Sequence, residues 1–320
     1  MSERCSNPQC YAHEGESCYM GEINLDDCDC WKGKTQEKKS TSINIKDVSS
    51  RLPWSSAALG SSDIAHLNHQ GNTTLVGVLG AANSGKTTFL MANYLRLLAG
   101  EKLSCGDVCS SFTLGAWESI ASFARLGNNS SQRSSFPPHT PRGEGRNPGI
   151  LHLGVRLEDK CVKNLLVTDA PGEWFSKWAI NADAKDAEGA KWTVEHSDAF
   201  LIFADCEKLC GEQRGTARRE VREIIERLAT SVRQRPVILV WAKSDYEPPD
   251  EIKIAITDAL TRHLPSAKTF SVTKDDPALF TQVLNELLKI VWAPSINHPI
   301  LEPIVKQTPF YAFRGHHEYT

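Results

Sequence analysis

Short apolar runs alternate with longer stretches of helical period along 71–293. Apolar runs over 74–80, 151–157, 162–168, 199–204, 236–241 and 269–272 predict six strands. Between them, 86–98, 217–230, 251–263 and 277–292 repeat at the helical spacing. Val221, Ile224, Ile225 and Leu228 share one face of the second; Leu279, Val283, Leu284, Leu287 and Val291 turn inward on the last. Glu158-Asp159-Lys160 links two strands so closely that the simplest connection is an antiparallel hairpin. The run Phe200-Leu201-Ile202-Phe203 is apolar on both faces, as in a strand covered on both sides. The pattern predicts an α/β fold, a six-stranded and mostly parallel sheet with helices on both faces.

The flanks differ. Residues 1–32 are rich in Cys, Asp, Glu and Gly and offer little to a core. Residues 33–70, rich in Ser and Lys, read mostly as linker, and 294–320 as a tail. There is no internal repeat. The 320 residues are 40% hydrophobic, enough for a sizeable core, and the net charge of −3 leaves no footprint for nucleic acid or an anionic membrane. No apolar run reaches the ~18–20 residues of a spanning helix. Met1-Ser2-Glu3-Arg4-Cys5 lacks the apolar core of a secretion signal, so the expected location is the cytoplasm.

Gly80-Ala81-Ala82-Asn83-Ser84-Gly85-Lys86-Thr87 matches G-x-x-x-x-G-K-[ST], between a predicted strand and a predicted helix. The glycines let backbone N–H groups turn toward a β-phosphate, and the helix N-terminus adds positive potential. Lys86 reaches the β- and γ-phosphates. Thr87 supplies a hydroxyl to magnesium, and Thr88 follows it at the helix start. The alternative is a chance Gly-rich turn. Asp169-Ala170-Pro171-Gly172-Glu173 ends a later strand as D-x-x-G-E. Asp169 is placed to hold magnesium through water, and Gly172 to bring a backbone N–H to the γ-phosphate. An ordinary turn also favours Asp, Pro and Gly. Glu173 stands where a water-orienting glutamine is usual. Its carboxylate accepts a hydrogen bond from water but is repelled by the γ-phosphate, so slow hydrolysis is expected.

A second switch segment should bring a threonine to magnesium before the strand at Leu151. About fifty residues separate the first helix from that strand. Leu114, Trp117, Ile120, Ala121 and Ala124 share a helical face there. Gly127 to Gly149 then read as a long loop, with Thr140 the candidate. The alternative is a solvated loop residue.

Trp241-Ala242-Lys243-Ser244-Asp245 ends another strand and fits [NT]-K-x-D except at Ala242. In that pattern the aspartate accepts two hydrogen bonds from guanine, which adenine cannot donate. Such sites discriminate by about 10⁴–10⁵. The Lys243 stem covers the base plane. The amide missing at Ala242 normally ties this loop to the phosphate loop. Ser271-Val272-Thr273, 26 residues past Asp245, takes the place of the S-A-K box, with Ser271 and Val272 as base contacts.

These boxes in this order resemble the translation-factor-related P-loop GTPases with a Ras-like domain. More narrowly, the chain is similar to the bacterial double-GTPase families of conflict- or defence-type gene neighbourhoods. The narrower likeness rests on Thr113-Leu114 to Trp117, on Ala170-Pro171-Gly172-Glu173-Trp174-Phe175, on Trp192 and on Ser197-Asp198-Ala199-Phe200-Leu201-Ile202. It implies GTP and GDP as ligands, magnesium as cofactor, and a protein partner, either a second GTPase or an effector. A P-loop ATPase or kinase and a non-hydrolysing nucleotide-sensing scaffold remain as alternatives.

Two metal expectations complete the picture. Cys5, Cys10, His13, Cys18, Cys28 and Cys30 place six soft ligands in 26 residues, a Cys-rich N-terminal module for zinc. Cys10, Cys18, Cys28 and one of Cys5 or Cys30 are the expected ligands. A disordered tail with incidental thiols and redox chemistry are the alternatives. Cys206 and Cys210 read as partly buried structural thiols, and His316 and His317 as solvated. Asn83 is the fourth residue of a G-x-x-N-x-G-K-[ST] loop, the form that holds potassium in some GTPases. Otherwise it only hydrogen-bonds its own loop. Arg142 and Arg146 are candidate arginine fingers.

Overall fold

The computed structural model describes residues 12, 31, 57–67, 73–122, 124 and 148–293. The chain divides into two units, Met1–Leu52 and Pro53–Thr320. The fold below is that of the second. The cysteine cluster, His13, Thr140, Arg142, Arg146, His316, His317 and the tail lie outside the described residues.

A seven-stranded sheet runs through this unit: β1 (Thr73–Gly80), β2 (Gly106–Ser110), β3 (Gly149–Leu157), β4 (Val162–Asp169), β5 (Ala199–Asp205), β6 (Val237–Ala242) and β7 (Lys268–Val272). The spatial order is β2-β3-β4-β1-β5-β6-β7. β1 pairs in parallel with β4 and β5, and β5-β6-β7 continue in parallel. β3 is antiparallel to both neighbours, and β3 and β4 form the expected hairpin. The expectation of six strands is corrected by β2. This edge strand is largely exposed and has no alternating apolar face, so periodicity did not reveal it.

The period of two along the strands divides the core. Val76, Val78, Leu201, Phe203, Ile238 and Val240 face helices α2 (Lys86–Leu98), α3 (Leu114–Ala121) and α9 (Ala278–Val291). Leu79, Phe200, Ile202 and Leu239 face α4 (Gly172–Ile180), α5 (Glu188–His196), α7 (Arg214–Ala229) and α8 (Asp250–His263). All seven residues of β5 are buried, which explains its uninterrupted apolar reading. The sequence reading assigns no helix to α4 or α5. In α4, Trp174, Phe175, Trp178 and Ala179 are buried at helical spacing, so the signal was present.

The stretch 33–70, read mostly as linker, carries structure at its end. Leu59 pairs with Ile150 across an antiparallel bridge, a short 3₁₀ turn Ser61–Asp63 leads into α1 (Ile64–Leu67), and Leu59 and Leu67 are buried with Leu75, Ile150 and Leu166. No helix among the described residues is long and apolar enough to cross a membrane.

Candidate functional site

The parallel strands β1, β4, β5, β6 and β7 end on one edge of the sheet, at Gly80, Asp169, Asp205, Ala242 and Val272. β1 lies between β4 and β5, where the connections part to opposite sides. Ligand clefts form at this point in open parallel sheets. A cleft of about 450 Å³ lies here. Asn83 to Thr88 line one end and Lys243, Asp245, Thr273 and Lys274 the other, with Ala170 and Gly172 beside the first.

The loop between β1 and α2 takes its shape from unusual backbone angles. Gly80, Asn83 and Gly85 have φ of 150°, 60° and 89°. A Cβ on Gly80 would come within 2.7 Å of the Ser84 hydroxyl. Lys86 is buried, and its ammonium donates to the carbonyls of Gly80 (3.0 Å) and Ala81 (2.8 Å). Burial pulls its pKa down to about 8, against the opposing pull of Asp169 and Glu173. Ser84 is fully buried, lines the cleft, and its hydroxyl has no hydrogen-bond partner among the described residues. The Asn83 side chain is exposed and lines the cleft.

The end of β4 meets this loop directly. The Thr87 hydroxyl donates to Asp169 Oδ1 at 3.1 Å. Gly172 opens α4 so close to the phosphate loop that a Cβ would lie 2.3 Å from both Ala81 C and Ala82 N. Only glycine permits that approach. Glu173 is the next residue and is half-buried.

At the other end, Thr273 donates from Oγ1 to Asp245 Oδ1 (3.2 Å), and Lys274 donates to Oδ2 (3.4 Å). Burial pushes the Asp245 carboxyl up, but its own backbone N–H, Thr273 and Lys274 outweigh that and hold it below the usual range. The backbone N–H of Ser244 donates to Val272 O at 3.0 Å, joining the β6 and β7 loops. Of the expected pair, Val272 lines the cleft and Ser271 does not. Ser271 is an exposed residue inside β7, and Thr273 and Lys274 line the cleft beside Val272.

Lys243 has φ 56° and donates to Asp205 (2.8 Å) and Glu207 (2.7 Å). Burial lowers its pKa, but the two carboxylates more than offset this and raise it. Asp205 also caps the short helix α6 (Cys206–Cys210), accepting the N–H groups of Glu207 and Lys208. Lys208 donates to the Ala82 carbonyl of the phosphate loop at 2.6 Å. Neither Asp205 nor Lys208 was marked by the sequence reading. Cys206 is buried, which pushes its thiol up to about 12, and Cys210 is half-buried.

A phosphate-type loop, a hydroxyl–carboxylate pair and a second carboxylate thus share one cleft. The model of the family described as Double-GTPase 2 matches residues 74–292. The chain belongs to the Double-GTPase 2 family. The expected double-GTPase resemblance is therefore borne out over the span that carries every residue of this cleft. No curated protein matches the chain. Among solved structures, the chain is similar to a Plasmodium falciparum protein described as nucleolar GTP-binding protein 1. The identity is 14% and the TM-score 0.40, covering 69% of this chain and 89% of that one. Among the described residues of this Double-GTPase 2 member, no group of three or more His, Cys, Asp or Glu is arranged to hold a metal.

Proposed function

We propose that the chain binds GTP and GDP with magnesium in this cleft and hydrolyses GTP to GDP and phosphate slowly, as a switch for a protein partner. The reading rests on one observation above others. Asp245 stands at the far end of the cleft from Lys86 and Thr87, its charge held by Thr273 and Lys274. Its carboxylate is available to the ring N–H and amino group of guanine. Family membership supports the same activity.

The β-phosphate would lie against the N–H groups of the phosphate loop, with Lys86 turning from its loop carbonyls to the phosphates. Thr87 Oγ1 and Asp169 Oδ1 are hard oxygen donors 3.1 Å apart. They suit a magnesium ion that keeps phosphate and water as its other ligands. When bound, that ion neutralises charge on the β- and γ-phosphates. In the hydrolytic step a water oxygen bonds to the γ-phosphorus as the bond to the β–γ bridging oxygen breaks, leaving GDP and phosphate. Glu173 accepts a hydrogen bond from that water but adds negative charge beside the γ-phosphate, which keeps the step slow. Asn83, exposed at the cleft beside Ser84 and Gly85, is the residue proposed to hold potassium as an auxiliary cation. For the N-terminal cysteines, zinc is proposed from ligand chemistry in the sequence alone.

Single-turnover phosphate release from GTP and magnesium tests the activity. A rate on the order of 10⁻⁴–10⁻² s⁻¹ is expected, abolished in Lys86→Ala. GTP bound tightly but recovered intact, with candidate partners present, would support the nucleotide-sensing scaffold instead.

A further inference from the structure

The two ends of the cleft are joined by an unexpected route. In the N-K-x-D pattern an amide at the first position ties the base-reading loop to the phosphate loop. Here that position is Ala242, buried, with only its methyl toward the loop: a Cβ built on Gly85 would lie 3.4 Å from it. Helix α6 spans the gap instead. At its start Asp205, 4% exposed, divides its oxygens between two jobs. Oδ1 accepts the N–H groups of Glu207 and Lys208, and Oδ2 accepts the Lys243 ammonium. One turn on, Lys208 reaches the Ala82 carbonyl.

We propose that α6 is a bracket replacing the missing amide, with Lys208 a positioning residue for nucleotide binding. The inference rests on the nucleotide-binding reading above. The physical reason lies in the peptide plane. The Ala82–Asn83 bond is trans, so its C=O and N–H point from opposite edges of one rigid unit. An ammonium that holds the Ala82 carbonyl on the α6 side fixes the Asn83 N–H on the other side. That N–H belongs to the loop that cradles phosphate. Asn83 adopts φ 60°, a left-handed conformation that asparagine tolerates better than most non-glycine residues. Lys86 restrains the carbonyls of Gly80 and Ala81. Lys208 restrains the next one along the chain. Through Asp205 the same helix anchors Lys243, so the base-reading and phosphate loops share one support.

The bracket predicts loosened binding without lost selectivity. Lys208→Met keeps the stem and removes the ammonium. Release of a fluorescent GDP analogue should speed up about tenfold, with the GTP-over-ATP preference unchanged and the melting temperature of the nucleotide-free protein within a few degrees of wild type. Lys208→Arg should bring release back to within about threefold of wild type, which a change of fold would not allow. Asp205→Asn keeps the cap but weakens the hold on Lys243. Combined with Lys208→Met it should release GDP no more than about twofold faster than the faster single variant, because both cut one bracket. Release from Lys208→Met at the wild-type rate would overturn the inference. So would hydrolysis that falls with release unchanged, or fully multiplicative effects in the double variant. Wild-type protein that binds no guanine nucleotide would instead remove the function reading, which separates the two failures.

Discussion

At the phosphate end of the cleft most contacts involve backbone: Gly172 presses on Ala81 and Ala82, Lys86 is buried among loop carbonyls, and Gly80, Asn83 and Gly85 hold positive φ. At the base end the contacts are made by side chains. Asp245 is held by a hydroxyl and an ammonium from the next loop, and Lys243 by two carboxylates at the start of α6. The first end has little room to relax, because its atoms are packed main chain. The second is a set of charged groups near solvent, each able to shift a little. Substitutions at the phosphate end should therefore act nearly all-or-none, and those at the base end should change preference by degrees.

The largest effect should come from the buried lysine. Lys86→Ala removes the charge that only phosphate requires and should cost about 4 kcal/mol of nucleotide binding, roughly a thousandfold, within the range for losing one partner of a desolvated charged pair. Isothermal calorimetry with GDP measures it, and circular dichroism shows whether the fold persists. A loss below tenfold would break the contrast between the two ends. At the base end, Asp245→Asn should cut GTP affinity about a hundredfold and raise the relative affinity for xanthine nucleotides, whose ring pairs with an amide. Competition binding reads this directly.

A smaller effect follows from the depressed pKa of Lys86. The neutral amine predominates above about pH 8 in the nucleotide-free protein. Phosphate requires the protonated form, so affinity should fall as pH rises through 8, by about tenfold between pH 7 and 9. The sign is that of a group whose proton is taken up on binding. Constant affinity across that range would show that Lys86 stays charged without a ligand. An effect of similar size, and the most specific, concerns Asn83. Hydrolysis should rise about tenfold, some 1.4 kcal/mol of barrier, when potassium replaces sodium at fixed ionic strength, and Asn83→Ala should remove the difference.

The same contrast explains what could be read from the sequence. The phosphate loop was legible because its chemistry needs particular residues at fixed spacing: glycines where φ is positive, a lysine and a threonine at the helix start. The central strands were legible because burial on both faces demands unbroken apolar runs. β2 was not, because an exposed edge strand of Gly-Asp-Val-Cys-Ser imposes no such demand. The base-contacting loop was placed at Ser271 and Val272 because position was counted from Asp245. Val272 and Thr273 of that stretch line the cleft together with Lys274, whereas Ser271 lies within β7. The α6 bracket was invisible. Asp205, Lys208 and Ala82 come together only when β1, β5 and β6 lie side by side, and no local pattern encodes a contact across 126 residues.

The most direct test of the central claim is competition binding to the full chain with magnesium present, using a fluorescent GDP analogue displaced by GTP, GDP and ATP. The Asp245 site predicts GTP and GDP displacing the probe at concentrations at least a thousandfold below ATP, following the discrimination that a site built to hydrogen-bond its substrate allows. Displacement by ATP at the same concentration as GTP would contradict the assignment of this cleft to guanine nucleotides.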